Sequence, residues 1–426
     1  MNHVLNAVVV TNEADALSEA HRADKLLAEG NVCGPLHGVP VTIKDTIDVA
    51  GIVTSSGLTG RKDFVPERDA SVVSRLKQAG AIVIGKTNTP ELALCDDTDN
   101  LVYGLTHNPH DLSRTPGSSS GGEAAIIAAG GSPLGLGSDS GGSVRIPAHF
   151  CGIVSLKPTL GRVPLTGHFP LNSGLQALLW QIGPMARRVE DLARALAVIS
   201  GPDGHDPVAT PVLLGDPLGI DPAGLRIACY CEEGRPHTPE TLAALQNAAR
   251  ALEAAGARVI ECSPPDTSRV VEWESALCYG DGAQWIRDVL ESTGTTSIHP
   301  LLSKILDEAK SLKITTGLFF ALMEDIDRFK REMLGFMSSY DVLLSPAAYS
   351  PAPPHEDMTG IDQRLWSYAM THNLTGWPAV VVPAGFSNEG LPIGVQLAAK
   401  PWREDAALRA ASVVEGSMTD WKPATL

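Results

Sequence analysis

Two serine–glycine turns and one isolated lysine are the residues of this chain best placed to do chemistry. Gly117-Ser118-Ser119-Ser120-Gly121-Gly122 and Asp139-Ser140-Gly141-Gly142-Ser143 lie close together, and Lys44 sits upstream in Gly38-Val39-Pro40-Val41-Thr42-Ile43-Lys44-Asp45. Glycine-rich backbone reaches dihedrals closed to other residues, and successive bare amides can form a nest for an anion. A hydroxyl held on such a turn is a candidate nucleophile. A lysine buried beside those hydroxyls can act as base without any histidine. A solvated lysine, with a pKa of about 10.4, is neutral only about one part in a thousand at pH 7.4, so burial has to lower it.

Other motifs compete and fail on context. Gly80-Ala81-Ile82-Val83-Ile84-Gly85-Lys86-Thr87 satisfies the P-loop pattern letter for letter. Its middle is apolar and mostly β-branched, which predicts a strand where a phosphate loop is needed, and Pro90 crowds the helix that should begin at Lys86. Gly117-Ser118-Ser119-Ser120-Gly121 matches the GxSxG elbow, but polar, proline-broken residues 107–116 replace the required apolar strand. His355 and His372 stay open as members of a Ser-His-Asp site. His107 and His110 flank Pro109 with no recognisable set of further ligands, so they read as loop residues, and no metal is expected.

The elements that must position the turns alternate between helix and buried strand. Residues 11–29 read as a polar, Ala-rich helix, 39–43 and 81–84 as strands, and 123–129 as a short helix of small residues. Residues 130–131 and 135–142 read as loops. Farther on, 225–229 and 257–262 are strands around an amphipathic helix at 239–255, with proline at its start and Gly256 beyond its end, which makes a βαβ unit. Residues 270–338 read as mostly helical, with strands at 341–344, 379–382 and 393–397. The proline run 351–354 is too short for a linker, so one catalytic domain is expected.

Bulk composition narrows the class. At 426 residues and 43% hydrophobic, the chain can bury a substantial core. The net charge of −16, from 33 basic and 49 acidic residues, argues against nucleic acid and anionic membrane surfaces as partners. Seven cysteines without a CxxC pair indicate neither a disulfide framework nor a zinc cage, and suit a reducing cytoplasm. No leader-like start and no 18-residue apolar run occur, so export and membrane spanning are not expected.

Read together, these stretches are similar to the amidase signature family of serine hydrolases. Residues 34–45, 85–91, 115–147, 151–159, 183–187 and 391–397 carry the resemblance, within a match from residue 5 to about 411. The family's spacing also recurs, 75 residues from Lys44 to Ser119 and 24 from Ser119 to Ser143. Gly121-Gly122-Glu123, Gly131-Ser132-Pro133-Leu134-Gly135 and Phe150-Cys151-Gly152-Ile153 look most like the branch holding fatty acid amide hydrolase and its bacterial relatives. Position 118 is serine where the family usually has glycine, which makes Ser118 the alternative to Ser119. The resemblance implies an α/β fold with a central, mixed, twisted β-sheet covered by helices on both faces. It implies a single domain over 1–426, its motif core at about 34–200 and the family's leading helical segment short or missing.

The resemblance further implies Ser143 as nucleophile, Ser119 as bridging serine on a cis peptide, and Lys44 as base. The amides of Ser140, Gly141, Gly142 and Ser143 would make the oxyanion hole, with Asp139, Arg145 and Ser118 as supports and Asp45 in either role. The expected reaction is hydrolysis of a small aryl or alkyl amide, and of carbamates or esters, through an acyl-enzyme and without a cofactor. Leu92, Ala93, Cys95, Phe169, Leu175, Trp180 and Phe319 are the expected pocket walls, although the same residues would equally suit a plain core. A homodimer is compatible with this reading. The amidase component of a glutamine-dependent amidotransferase is the alternative, and a non-enzymatic binding protein is disfavoured because all three catalytic residue types are present.

Overall fold

The computed structural model describes residues 1–170, 174–418 and 422–425. Its centre is one sheet of eleven strands among the described residues: β1 (Val8–Thr11), β2 (Pro40–Lys44), β3 (Ile82–Thr87), β4 (Leu134–Asp139), β5 (Val154–Lys157), β6 (Gln181–Ala186), β7 (Arg226–Cys229), β8 (Arg258–Glu261), β9 (Val342–Pro346), β10 (Ala379–Phe386) and β11 (Pro392–Ala399). They lie in the order β1-β3-β2-β4-β6-β5-β10-β11-β9-β7-β8. The sheet is mixed. β2 runs parallel to both β3 and β4, and β9-β7-β8 form a second parallel block, while the strands between them pair antiparallel.

β4, β6, β9 and β11 are buried at every residue, which requires that both faces of the sheet be covered. The helix Gly121–Ala128 supplies part of that cover, and all eight of its residues are buried. Glycine, alanine and isoleucine make this close packing sterically cheap. At Gly135 of β4 a Cβ would collide with the Glu123 carboxyl of that helix, so only glycine lets helix and strand approach.

Most expected elements are present, with ends that differ by up to four residues. The helix at 11–29 is Glu13–Ala28, the strand at 81–84 is β3, and the βαβ unit is β7, Pro239–Ala254 and β8 in parallel pairing. Residues 270–338 form four helices, Val270–Tyr279, Gln284–Ser292, Pro300–Ala309 and Thr316–Met337. The loop expected at 135–142 is a correction, because 134–139 is β4, a fully buried central strand. Its glycines at 135 and 137 lie on one face, where they let Glu123 and Ser120 of the covering helix and its cap approach closely, and the sequence reading took them for loop residues. No helix among the described residues is long and apolar enough to cross a membrane.

Candidate active site

Lys44 ends β2, flanked by β3 and β4, and is fully buried. Its Nζ stands 2.7 Å from Ser119 Oγ, 3.1 Å from Ser138 Oγ and 3.3 Å from the Ser138 carbonyl oxygen. These three contacts satisfy either protonation state. An ammonium donates to all three oxygens, whereas a neutral amine donates to the Ser138 pair and accepts from the Ser119 hydroxyl. Burial drives the Lys44 pKa down to about 7, against the charges of Asp139 and then Glu123, which raise it. A lysine with its pKa lowered that far carries a substantial free-amine fraction near neutral pH, against about 0.1% for a solvated lysine.

Both serine turns lead into short helices, Gly121–Ala128 and Arg145–Cys151. The Ser120 amide donates to the Ser143 carbonyl at 3.1 Å, and the Ser120 hydroxyl donates to the Ser138 carbonyl at 3.2 Å. These bonds hold the turns side by side. The Ser118–Ser119 peptide is cis. Ser118 Oγ donates to the Cys95 carbonyl, so of the two candidate serines it is Ser119 that faces Lys44.

Asp139 anchors the second turn from within. Its carboxylate accepts from the amides of Gly142 at 2.9 Å and Val144 at 3.1 Å, from Arg145 Nε at 3.1 Å and Nη2 at 2.9 Å, and from Asn373 Nδ2 at 2.9 Å. Burial works to raise the Asp139 pKa, but the Arg145 charge and these bonds outweigh it and hold the carboxyl well below the usual carboxylate range. Arg145 is itself buried and also donates to Ala369 O, Gln396 Oε1 and Asn373 Oδ1. Because the Gly142 amide is committed to Asp139, the four-donor hole is corrected. The amides of Ser140, Gly141 and Ser143 have no acceptor among the described residues. Gly142 adopts φ 119, and a Cβ there would stand 2.7 Å from Ala369 Cβ, so the turn needs glycine.

Ser118, Ser140, Gly141 and Ser143 open onto a cavity of about 170 Å³. Ala93 and Cys95 line it as expected, and the helix Val270–Tyr279 contributes Glu274, Ser275, Cys278 and Tyr279, with Trp366 and Met370 beyond. Other expected wall residues lie elsewhere. Leu92 and Trp180 are core side chains, and Phe169 lies under the Arg61 guanidinium, 3.7 Å from it. Leu175 and Phe319 line a neighbouring cleft that shares Cys278 with the cavity. Burial statistics could not separate wall from interior, and the interior was right for Leu92 and Trp180.

The remaining candidates are structural. Asp45 accepts from the amides of Ser55 and Ser56 and the Ser55 hydroxyl, and faces Lys86 at 3.5 Å. The P-loop lysine, Lys86, is thus a buried strand residue, which also donates to the Ile47 carbonyl and Thr54 hydroxyl. His355 pairs with Asp97 at 2.6 Å, and His372 lies buried against Trp377 with no hydrogen-bond partner among the described residues. Neither reaches a candidate serine. His110 contacts the Cys151 carbonyl and His107 that of Leu112, and no metal-holding group of residues occurs among those described.

Three contributors were missed from sequence. Ser138 contacts Lys44 through two atoms; Glu123, bonded by the Thr42 and Thr87 hydroxyls, is a buried carboxyl near it whose pKa burial pushes up to about 7; Glu274 faces the cavity. The available signal for Glu274 was a carboxylate four residues before Cys278, on the same helix face as that buried thiol.

A family profile described as Amidase matches residues 1–408. The chain is 37% identical to an indoleacetamide hydrolase of Bradyrhizobium diazoefficiens, covering 97% of this chain and 80% of that protein. It is 34% identical to a glutamyl-tRNA(Gln) amidotransferase component of Heliobacterium modesticaldum, covering 96% and 89%. Among solved structures, a 6-aminohexanoate cyclic dimer hydrolase complexed with substrate superposes with a TM-score of 0.85 at 29% identity, covering 98% of this chain and 90% of that one.

Proposed function

The chain belongs to the amidase family, hydrolases of amide C–N bonds, and we propose from that premise that it works by acyl transfer to Ser143 with Ser119 and Lys44 as its proton relay. The observation that carries this is the 2.7 Å contact between a buried Lys44 Nζ and Ser119 Oγ, beside the turn that bears Ser143. Free-amine Lys44 accepts the Ser119 proton as Ser119 accepts that of Ser143, and Ser143 Oγ bonds to the substrate carbonyl carbon. The carbonyl oxygen, now an oxyanion, meets the amides of Ser140, Gly141 and Ser143. One such donor is worth about 3–4 kcal/mol at the transition state. Lys44 then returns the proton through Ser119 to the leaving nitrogen, the C–N bond breaks, and water cleaves the Ser143 ester by the same relay. Amide and water become acid and amine. Asp139 and Arg145 hold the turn.

The cavity sets the substrate's size. At about 170 Å³ it is close to the roughly 150 Å³ that accommodates a benzene, which suits one aryl or short alkyl amide. Carbamates and esters present the same carbonyl and oxyanion and pass through the same steps. The similarity to an amidotransferase component favours glutamine as a second reading. The cavity counts against it, because none of its lining residues is lysine, arginine or histidine to meet glutamine's α-carboxylate.

Hydrolysis of an aryl anilide by purified wild type, Ser143→Ala, Ser119→Ala and Lys44→Ala is the test. Each variant should lose several orders of magnitude in kcat/KM, and the double variant Lys44→Ala/Ser119→Ala little more than either alone, since the three act as one unit. A Ser143→Ala enzyme that keeps most of its activity would reject the mechanism.

A further inference from the structure

We infer that the active-site cavity selects amides bearing an amino group, through the carboxylate of Glu274 with that of Asp96 beside it. This rests on the acyl-transfer reading of Ser143. Glu274 projects from the helix Val270–Tyr279 and is only 7% exposed. A Cβ on Gly141 would stand 3.4 Å from Glu274 Oε1, so the carboxyl lies against the turn that carries the nucleophile. Its side-chain hydrogen bond comes from the Cys278 thiol at 3.3 Å, a weak donor.

The other charged residues lining the cavity are Asp96 and Glu308, both acidic. Asp96 accepts from the Gln363 amide at 2.6 Å, and Glu308 has Lys304 at 3.8 Å on the exposed rim. Glu274 has no cation beside it among the described residues. A carboxyl buried without one loses hydration that the Cys278 thiol replaces only in part, and burial, with Asp96 adding to it, pushes its pKa up to about 7. An ammonium on the substrate supplies the missing donors and charge, while Tyr279, Trp366 and Met370 pack against the carbon skeleton. Charge-assisted hydrogen bonds of this kind are the stronger class.

The test compares isosteric pairs. On the acyl side, glycyl, β-alanyl and 4-aminobutyryl 4-nitroanilides are set against their propionyl, butyryl and pentanoyl counterparts. On the leaving side, N-(2-aminoethyl)benzamide is set against N-propylbenzamide. Wild type should favour at least one amine-bearing member over its isostere by about tenfold or more in kcat/KM. Glu274→Gln should cut that ratio by at least about fivefold, and Asp96→Asn should lower it in the same direction. The wild-type ratios decide the question even where a variant fails to fold. If no amine-bearing member is preferred while a fluorophosphonate still labels Ser143, the inference is overturned and acyl transfer stands. An unchanged ratio in Glu274→Gln also overturns it. If no amide is cleaved and Ser143 is not labelled, the acyl-transfer reading falls and takes the inference with it.

Discussion

Replacing Asp139 by asparagine removes one charge from the middle of the site while keeping its shape. The wild-type carboxylate accepts five hydrogen bonds, from Gly142 N, Val144 N, Arg145 Nε and Nη2, and Asn373 Nδ2, and it neutralises an Arg145 that has no exposed surface. An asparagine offers one oxygen, so at least two buried donors lose this acceptor and the Arg145 cation loses its anion. Breaking a buried pair in this way costs about 3–5 kcal/mol. Arg145 retains three neutral acceptors, Ala369 O, Gln396 Oε1 and Asn373 Oδ1, which places the expectation near the lower end. Activity should fall further, because Gly142 is pinned by this carboxylate and a misplacement of about 1 Å in the oxyanion turn can cost about 10²-fold. Urea unfolding at pH 7 and anilide hydrolysis measure the two effects. The sign with pH is fixed as well. The folded pKa of Asp139 lies below the ordinary 3.8, so its contribution is present above that pH and is lost as pH falls through the folded value. Asp139→Asn should lack that acid loss. A variant within about 1 kcal/mol and threefold of wild type at pH 7 would refute the account of this turn.

Further outcomes follow from the same geometry. The kcat/KM of the wild type should rise with pH through about 7 and level off above it, as Lys44 becomes free amine. Burial pushes the Glu123 pKa up to about 7, and the fraction that ionises raises the Lys44 pKa, so Glu123→Gln should move the rising limb modestly to lower pH; a shift to higher pH would mean that Glu123 is not felt at Lys44. Prolonged chelation should leave anilide hydrolysis intact, since nucleophile, base and oxyanion donors all come from the chain. Loss of activity that zinc restores would point back to His107 and His110.

What could be read from sequence divides along physical lines. The two serine–glycine turns and Lys44 stood out by residue type, the family resemblance and its spacing singled out Ser119 and Ser143 among the serines, and the structure brings Lys44 and Ser119 into contact. Proline and glycine punctuation located the βαβ unit at 225–262 well. β4 was missed because the glycines of Leu134–Asp139 serve close packing against Glu123 and Ser120, a tertiary fact that local propensity cannot carry. The cavity walls were legible only in part. Apolar side chains look alike whether they face a cavity or a core, so Leu92 and Trp180 were indistinguishable from Ala93 and Cys95. Glu274 and Ser138 depend on helix and strand placement far from, or across from, the motif they serve.

Covalent trapping tests the central claim most directly. Incubation of the wild-type chain with a fluorophosphonate, followed by proteolysis and peptide mass spectrometry, should place a single phosphonyl adduct on Ser143, and Ser143→Ala should carry none. An adduct on Ser119 or Ser118 that persists in Ser143→Ala would contradict the account.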